Sequence, residues 1–150
     1  MASTYQPANL TVMLTSKITL NGQEINSENE VIIPNITGYD KRVLTIPETP
    51  ETSVAQFTSD VSAGTYIAAN IRLMSIVNLD NANFVRIRVS KATAETFDIK
   101  LEPGQMFIMS NVKEFASSNA AAFTSFVDAT AILAQADTAA VNIQLTVATI

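Results

Sequence analysis

The chain has 150 residues and a net charge of −5, with 47% hydrophobic and only 15% charged residues. That length fits one domain with a substantial core, and the negative charge disfavours a phosphate-backbone partner. There is no Cys and no His, which excludes disulfides, thiolate metal sites, cysteine nucleophiles and any Ser-His-Asp triad.

From the N-terminus, Met1 to Asn9 is short, polar and without a basic segment leading into an apolar run. It reads as a flexible arm over residues 1–9 and not as a signal peptide, ahead of a single domain over residues 10–150. Leu10 to Leu20 reads as a long strand closed by the hairpin signal Asn21-Gly22. Val31-Ile32-Ile33 and Arg42 to Ile46 read as short strands, with Pro34, Pro47 and Pro50 marking edges or loops. Thr49 to Ala63 is polar apart from the anchors Val54 and Phe57, and Pro47 to Ser53 is expected to be an exposed loop.

Ile71 to Leu79 is an apolar strand followed by Asp80-Asn81-Ala82, residues suited to a tight turn. Asn83 to Lys91 alternates cleanly, with Val85, Ile87 and Val89 opposite Phe84, Arg86, Arg88 and Ser90. After the polar link Lys91 to Glu95, Thr96 to Leu101 alternates again. Glu102-Pro103-Gly104-Gln105 has the residues of a type II turn, and Met106 to Ser110 returns. These four segments are expected to form an antiparallel meander. Val112 to Val127 suits either a short helix or a sheet-to-sheet crossover, because Ala120, Ala121 and Ala122 favour helix while Phe115, Phe123 and Phe126 break the alternation. Ala131 to Ala136 and Val141 to Ile150 are the last strands, with Asp137-Thr138 between them. The expected fold is all-β, a two-sheet antiparallel sandwich of jelly-roll type with at most one short helix. No apolar stretch reaches the roughly 18 residues of a membrane-spanning helix, so a soluble protein is expected.

Groups that could carry chemistry are sparse. The carboxylates Glu24, Glu28 and Glu30, then Glu48 and Glu51, lie in sequence that reads as polar loop. Asp98 lies on a polar strand face beside Lys100. None sits in an apolar run that would raise its pKa. Asn78, Asp80, Asn81 and Asn83 form the one dense oxygen cluster, and turn chemistry accounts for it without calcium. Arg72, Arg86 and Arg88 could form a basic stripe, but without interleaved aromatics they suit solvated strand faces or interface contacts. Gly22, Gly38, Gly64 and Gly104 are isolated, so no phosphate cradle is expected. Tyr5, Tyr39 and Tyr66 are scattered and Trp is absent, which leaves a sugar-stacking site without support. No catalytic, cofactor or metal residue is assigned, and the chain is expected not to be an enzyme.

The order of motifs resembles small virion structural proteins of tailed bacteriophages. The resemblance lies in Ile71 to Asp80 with its Asn78-Leu79-Asp80 turn, Asn83 to Val89, and Leu101-Glu102-Pro103-Gly104 before Met106-Phe107-Ile108. It continues in Ala134-Gln135-Ala136-Asp137-Thr138 before the last strand. It covers residues 71–150 and rests on turn chemistry and strand pattern. It implies a non-enzymatic head decoration (cement) protein, or alternatively a tail, connector or fibre component; a carbohydrate-binding sandwich used in host attachment is the rival. The partners it implies are further copies of the chain, with a trimer favoured, and the major capsid protein or other virion proteins. It implies no nucleic acid, membrane or cofactor. The expected location is the virion, after synthesis in a host cytoplasm.

Overall fold

A computed structural model describes residues 6–60, 62–91, 96–110, 112–116 and 126–150. Where the sequence suggests one domain from residue 10, the chain divides into two compact units, one reaching to Thr37 and the other Gly38–Thr149.

The first unit is a β-hairpin. β1 (Ala8–Leu20) pairs antiparallel with β2 (Gln23–Ile36), in register from Leu20 opposite Gln23 to Leu10 opposite Ile33. Asn21 and Gly22 both have positive φ, 49° and 79°, the requirement of the type I′ turn that matches strand twist. The hairpin is longer than expected. Gln23 to Glu30 reads as loop by composition, yet it pairs throughout with β1. Residues 8 and 9, placed in the arm by the sequence, begin β1; residues 1–5 lie outside the described residues. Pro34 has no partner in β1 and lies where the register shifts between Ile33 and Ile36, an irregularity of the kind proline tolerates in a strand.

The second unit is a sandwich. One sheet has the order β3 (Gly38–Ile46), β11 (Val141–Thr149), β6 (Ile71–Asn78), β9 (Met106–Met109). The other has the order β5 (Thr65–Ile67), β4 (Thr52–Thr58), β10 (Ala129–Ala136), β7 (Val85–Lys91), β8 (Thr96–Leu101). Leaving β5 aside, the eight strands pair as first with last, second with seventh, third with sixth and fourth with fifth. That is a long hairpin rolled up into two sheets, the jelly-roll topology expected from the sequence. β5 departs from the all-antiparallel expectation, because it pairs parallel to β4. Ala68–Asn70 forms a single 3₁₀ turn.

Alternation explains the core. Val141, Ile143, Leu145 and Val147 of β11 point inward and are almost fully buried, as are Val85, Ile87 and Val89 of β7 and Ile132 and Ala134 of β10. Val54 and Phe57, the two anchors of the polar stretch, are buried too, but β4 starts at Thr52, so the expected loop at Pro47 to Ser53 is shorter.

The expected meander over Ile71 to Ser110 is not formed. β6 and β7 lie in different sheets, and so do β8 and β9; only β7 and β8 pair as sequence neighbours. Turn residues announce a chain reversal but not the sheet in which the returning strand will lie. Here both reversals cross between the sheets, and Asn78 anchors them. Its side chain is fully buried; Nδ2 donates to the Asn83 and Leu101 carbonyls at 3.0 Å each, and Oδ1 accepts the Asp80 amide at 2.9 Å. Its backbone amide donates to the Gln105 carbonyl at 2.9 Å, and its carbonyl accepts the Gly104 amide at 3.1 Å. Of the ambiguous Val112 to Val127, residues 117–125 lie outside the described residues; Ala116 and Val127 form an antiparallel bridge. Residues 92–95 of the link before β8 also lie outside them.

Two stability predictions follow from these turns. Asn78→Leu strands the buried Leu101 carbonyl and the part-buried Asn83 carbonyl and Asp80 amide, so it should cost about 3 kcal/mol; a loss under 1 kcal/mol by denaturant titration would refute the anchor. Gly104 holds φ 75° with nothing near its missing Cβ, and the Gln105 amide donates to the Glu102 carbonyl at 3.0 Å. Gly104→Ala should therefore cost about 1 kcal/mol from backbone strain alone, read as a lowered urea midpoint.

Candidate interaction surfaces

The sandwich has two outer faces of opposite character. On the five-stranded sheet, Arg86 of β7 donates to Glu51 and Gln135, both at 2.5 Å. Arg88 grips Asp98 of β8 with two bonds, at 2.8 and 2.9 Å, and lies 3.3 Å from Glu51. Lys100 pairs with Glu102 at 2.6 Å and sits over the Phe84 ring. This is a solvated, charge-balanced surface. The possible basic stripe is therefore absent: Arg86 and Arg88 are paired with carboxylates, and Arg72 lies in the other sheet, donating to the Ala69 carbonyl at 2.8 Å.

The outer face of the four-stranded sheet is nearly free of charge. Registration places Val43, Gln144, Val77 and Met106 in one row across it, and Lys41, Thr146, Ser75 and Ile108 in the next. Val43 is 58% exposed and Met106 53%, with Tyr39 and Ile108 also exposed. Lys41 is the only charged residue in these two rows.

The hairpin is divided the same way. Opposite residues share a face, so one face carries Leu10, Val12, Leu14, Ser16, Ile18 and Leu20 against Ile33, Val31, Asn29, Ser27, Ile25 and Gln23. No charge lies on it. Lys17, Glu24, Glu28 and Glu30, all the hairpin's charges, lie on the other face with Met13 and Ile32. Leu14, Ile18, Leu20, Ile25 and Val31 on the uncharged face are all more than half exposed. The sequence held a signal for this: Glu24, Asn26, Glu28 and Glu30 recur at every second residue, the period of a strand and not of a loop.

The candidate chemical groups are not brought together. Glu24, Glu28 and Glu30 are on the hairpin, where Lys17 pairs with Glu24. Glu48 lies in the loop before β4, its carbonyl accepting from the Gln135 amide at 2.7 Å, while Glu51 and Asp98 serve the arginine network. Asp80 accepts the Ala82 and Asn83 amides at 2.8 and 2.7 Å, so the asparagine-rich cluster is a turn. Among the described residues, no group of three His, Cys, Asp or Glu side chains could hold a metal. A cleft of about 360 Å³ runs between Arg42 and Leu44 on one side and Ser53, Gln56 and Gly64 on the other. Behind it Tyr66 donates to Asp40 at 2.5 Å and accepts from Arg42 at 2.9 Å. Burial, reinforced by the bond to Asp40, pushes the Tyr66 phenol up to about 12. It stays protonated at neutral pH and is no base. Tyr66, which the sequence offers only as one of three scattered tyrosines, ties β5 to β3 through these bonds.

The sequence matches no protein-family model and no curated protein.

The charge pairs set an acid limit. The Arg88 bonds hold the Asp98 carboxyl below the usual range, and the amides of Asn83 and Ala82 do the same for Asp80. A carboxyl with a lowered folded pKa stabilises the fold above its unfolded value near pH 4 and loses that contribution as pH falls through the folded value. The contribution of these two carboxyls should therefore be fully present above their unfolded values, near pH 4, and be lost progressively as the pH falls below them. Asp98→Asn should flatten that decline; an unchanged slope in acid-dependent denaturant titrations would show that the pair contributes nothing.

Proposed function

We propose that the chain is a non-enzymatic structural protein of a tailed-bacteriophage virion, a head decoration (cement) protein that binds the shell and stabilises it by protein–protein contact. The observation that carries this reading is the contrast between the two outer faces of the sandwich. One is paired out with charges and suits water. The other exposes Tyr39, Val43, Met106 and Ile108 with Lys41 as the one charge in their rows, and interface cores are likewise depleted in charge. A ligand that binds only the assembled shell stabilises it by mass action, so a decorating protein needs a surface of this kind and no catalytic group. The order of turns resembling small phage virion proteins supports the particle as the partner. The jelly roll is compatible with it but does not select it, since shell proteins, lectins and cupins all use that topology.

The test is co-sedimentation of the purified chain with heads of the parent phage assembled without it. Saturable binding is expected, together with a raised temperature of head disruption. Val43→Glu combined with Ile108→Glu should weaken binding about tenfold or more, since two charges would have to be desolvated. Exposed positions like these change stability by only about 0.5 kcal/mol, so the unfolding midpoint serves as the control. Binding unaffected by both substitutions would refute this face as the contact.

A further inference from the structure

We propose that the uncharged face of the β1–β2 hairpin is a self-association surface, packed against the same face of a second copy with the two hairpins running in opposite directions. This inference does not rest on the virion reading.

A two-stranded ribbon is at best marginally stable alone in water. Yet this one is paired without a break from Leu20–Gln23 to Leu10–Ile33 and leaves most of its apolar face open. Among the described residues no third strand joins its sheet, so each strand keeps an open edge. Open edges exclude a bilayer as the cover, because lipid cannot satisfy free backbone groups. Charge placement favours a copy of the chain. Every ionised side chain of the hairpin is on the far face, so two chains of charge −5 can bring these faces together without opposing like charges.

The pattern along the face is its own complement. Relate two hairpins by a two-fold axis lying between the faces and perpendicular to the strands, midway along the ribbon. The axis then falls between the Leu14–Asn29 pair and the Ser16–Ser27 pair. Leu14 meets the partner's Ser16, large against small, as interdigitating layers require. Asn29 meets the partner's Ser27, so two of the three polar side chains near the centre are matched with each other, and the third, Ser16, lies against the partner's Leu14. On either side Val12 meets the partner's Ile18, and Val31 meets the partner's Ile25. Isologous contacts need this self-match. Sheets stacked face to face stay within about 30° of alignment, which keeps the central four rungs in contact.

The size suits a weak contact. The four central rungs span about 7 residues at 3.4 Å each, which with a width near 10 Å gives a footprint of roughly 240 Å² per copy. Side-chain relief adds to this, and the total stays at the low end of interface sizes, that of transient association.

The experiment uses the full chain in light scattering after size exclusion, with sedimentation equilibrium for affinity. Wild type is expected at twice its 16.1 kDa or a higher multiple. Ile25→Glu alone and Val31→Lys alone should each weaken association about 30-fold, by placing a charge in an apolar contact. An equimolar mixture of the two variants should associate at least ~5-fold more tightly than either alone, because Glu and Lys then face each other only between chains. Thr15→Lys, on the charged face, should leave association unchanged. A monomeric wild type at about 100 μM, single variants that still associate fully, or a mixture no tighter than its components would each overturn the proposal. Head binding is measured separately with the Val43 and Ile108 variant, so failure of either reading leaves the other standing.

Discussion

The buried carboxamide of Asn78 sits where the two sheets exchange strands at one end of the sandwich. It binds carbonyls at the start of β7 and the end of β8, both in the five-stranded sheet, from a position at the end of β6 in the four-stranded one. Its own backbone closes on the Pro103-Gly104 turn, and the neighbouring Leu79 amide donates to Asn142 at 2.9 Å, just inside β11. A jelly roll must carry its chain across the core edge repeatedly, and each crossing frees backbone groups that no ladder satisfies. One side chain with two donors and an acceptor satisfies three of them here. The rolled hairpin therefore depends on a fully buried polar group at the edge of an apolar core.

With the crossings fixed, the sheets can specialise. Arg88 of β7 lies directly opposite Asp98 of β8, and Glu51, just before β4, reaches both Arg86 and Arg88, so the outer face of their sheet neutralises itself. Strands β3, β6 and β9 place valine, methionine and isoleucine outward instead. The same division recurs on the hairpin, with every charge on one side. Low charge content is thus not spread evenly over the surface. It shows as two charge-poor faces, one on each compact unit, with Lys41 the one charge in the rows of the sandwich face, and these are where partners can add buried area with little desolvation of ions.

Much of this was legible from residue order. Period-two alternation placed β6, β7, β8, β10 and β11 within a residue or two, and Asn21-Gly22 and Pro103-Gly104 marked turns whose positive φ values are present. The jelly-roll class was legible as well, from strand number and turn spacing. The second half of the hairpin was missed because Asn, Ser and Glu between Gln23 and Glu30 have low strand propensity; their pairing with β1 outweighs it. The parallel strand β5 was missed because three residues carry too little pattern. The interaction faces were invisible as faces, since composition counts apolar residues without saying which ones remain outside.

The sequence by itself determined most of the sandwich strands, which side of each is apolar, and where the chain reverses between them, because those depend on neighbours one to four residues apart. It also determined that no histidine or cysteine chemistry is open to this protein. Only the tertiary structure decided which strand lies beside which. The Asp80 and Pro103-Gly104 turns look local, yet each delivers the chain to the opposite sheet, because the buried apolar faces of both sheets must meet and the Asn78 bonds are satisfied only in that arrangement. For the same reason only the fold shows that Arg86, Arg88, Glu51 and Asp98 cancel one another while Val43, Met106 and Ile108 stay uncovered: register across strands far apart in sequence sets both.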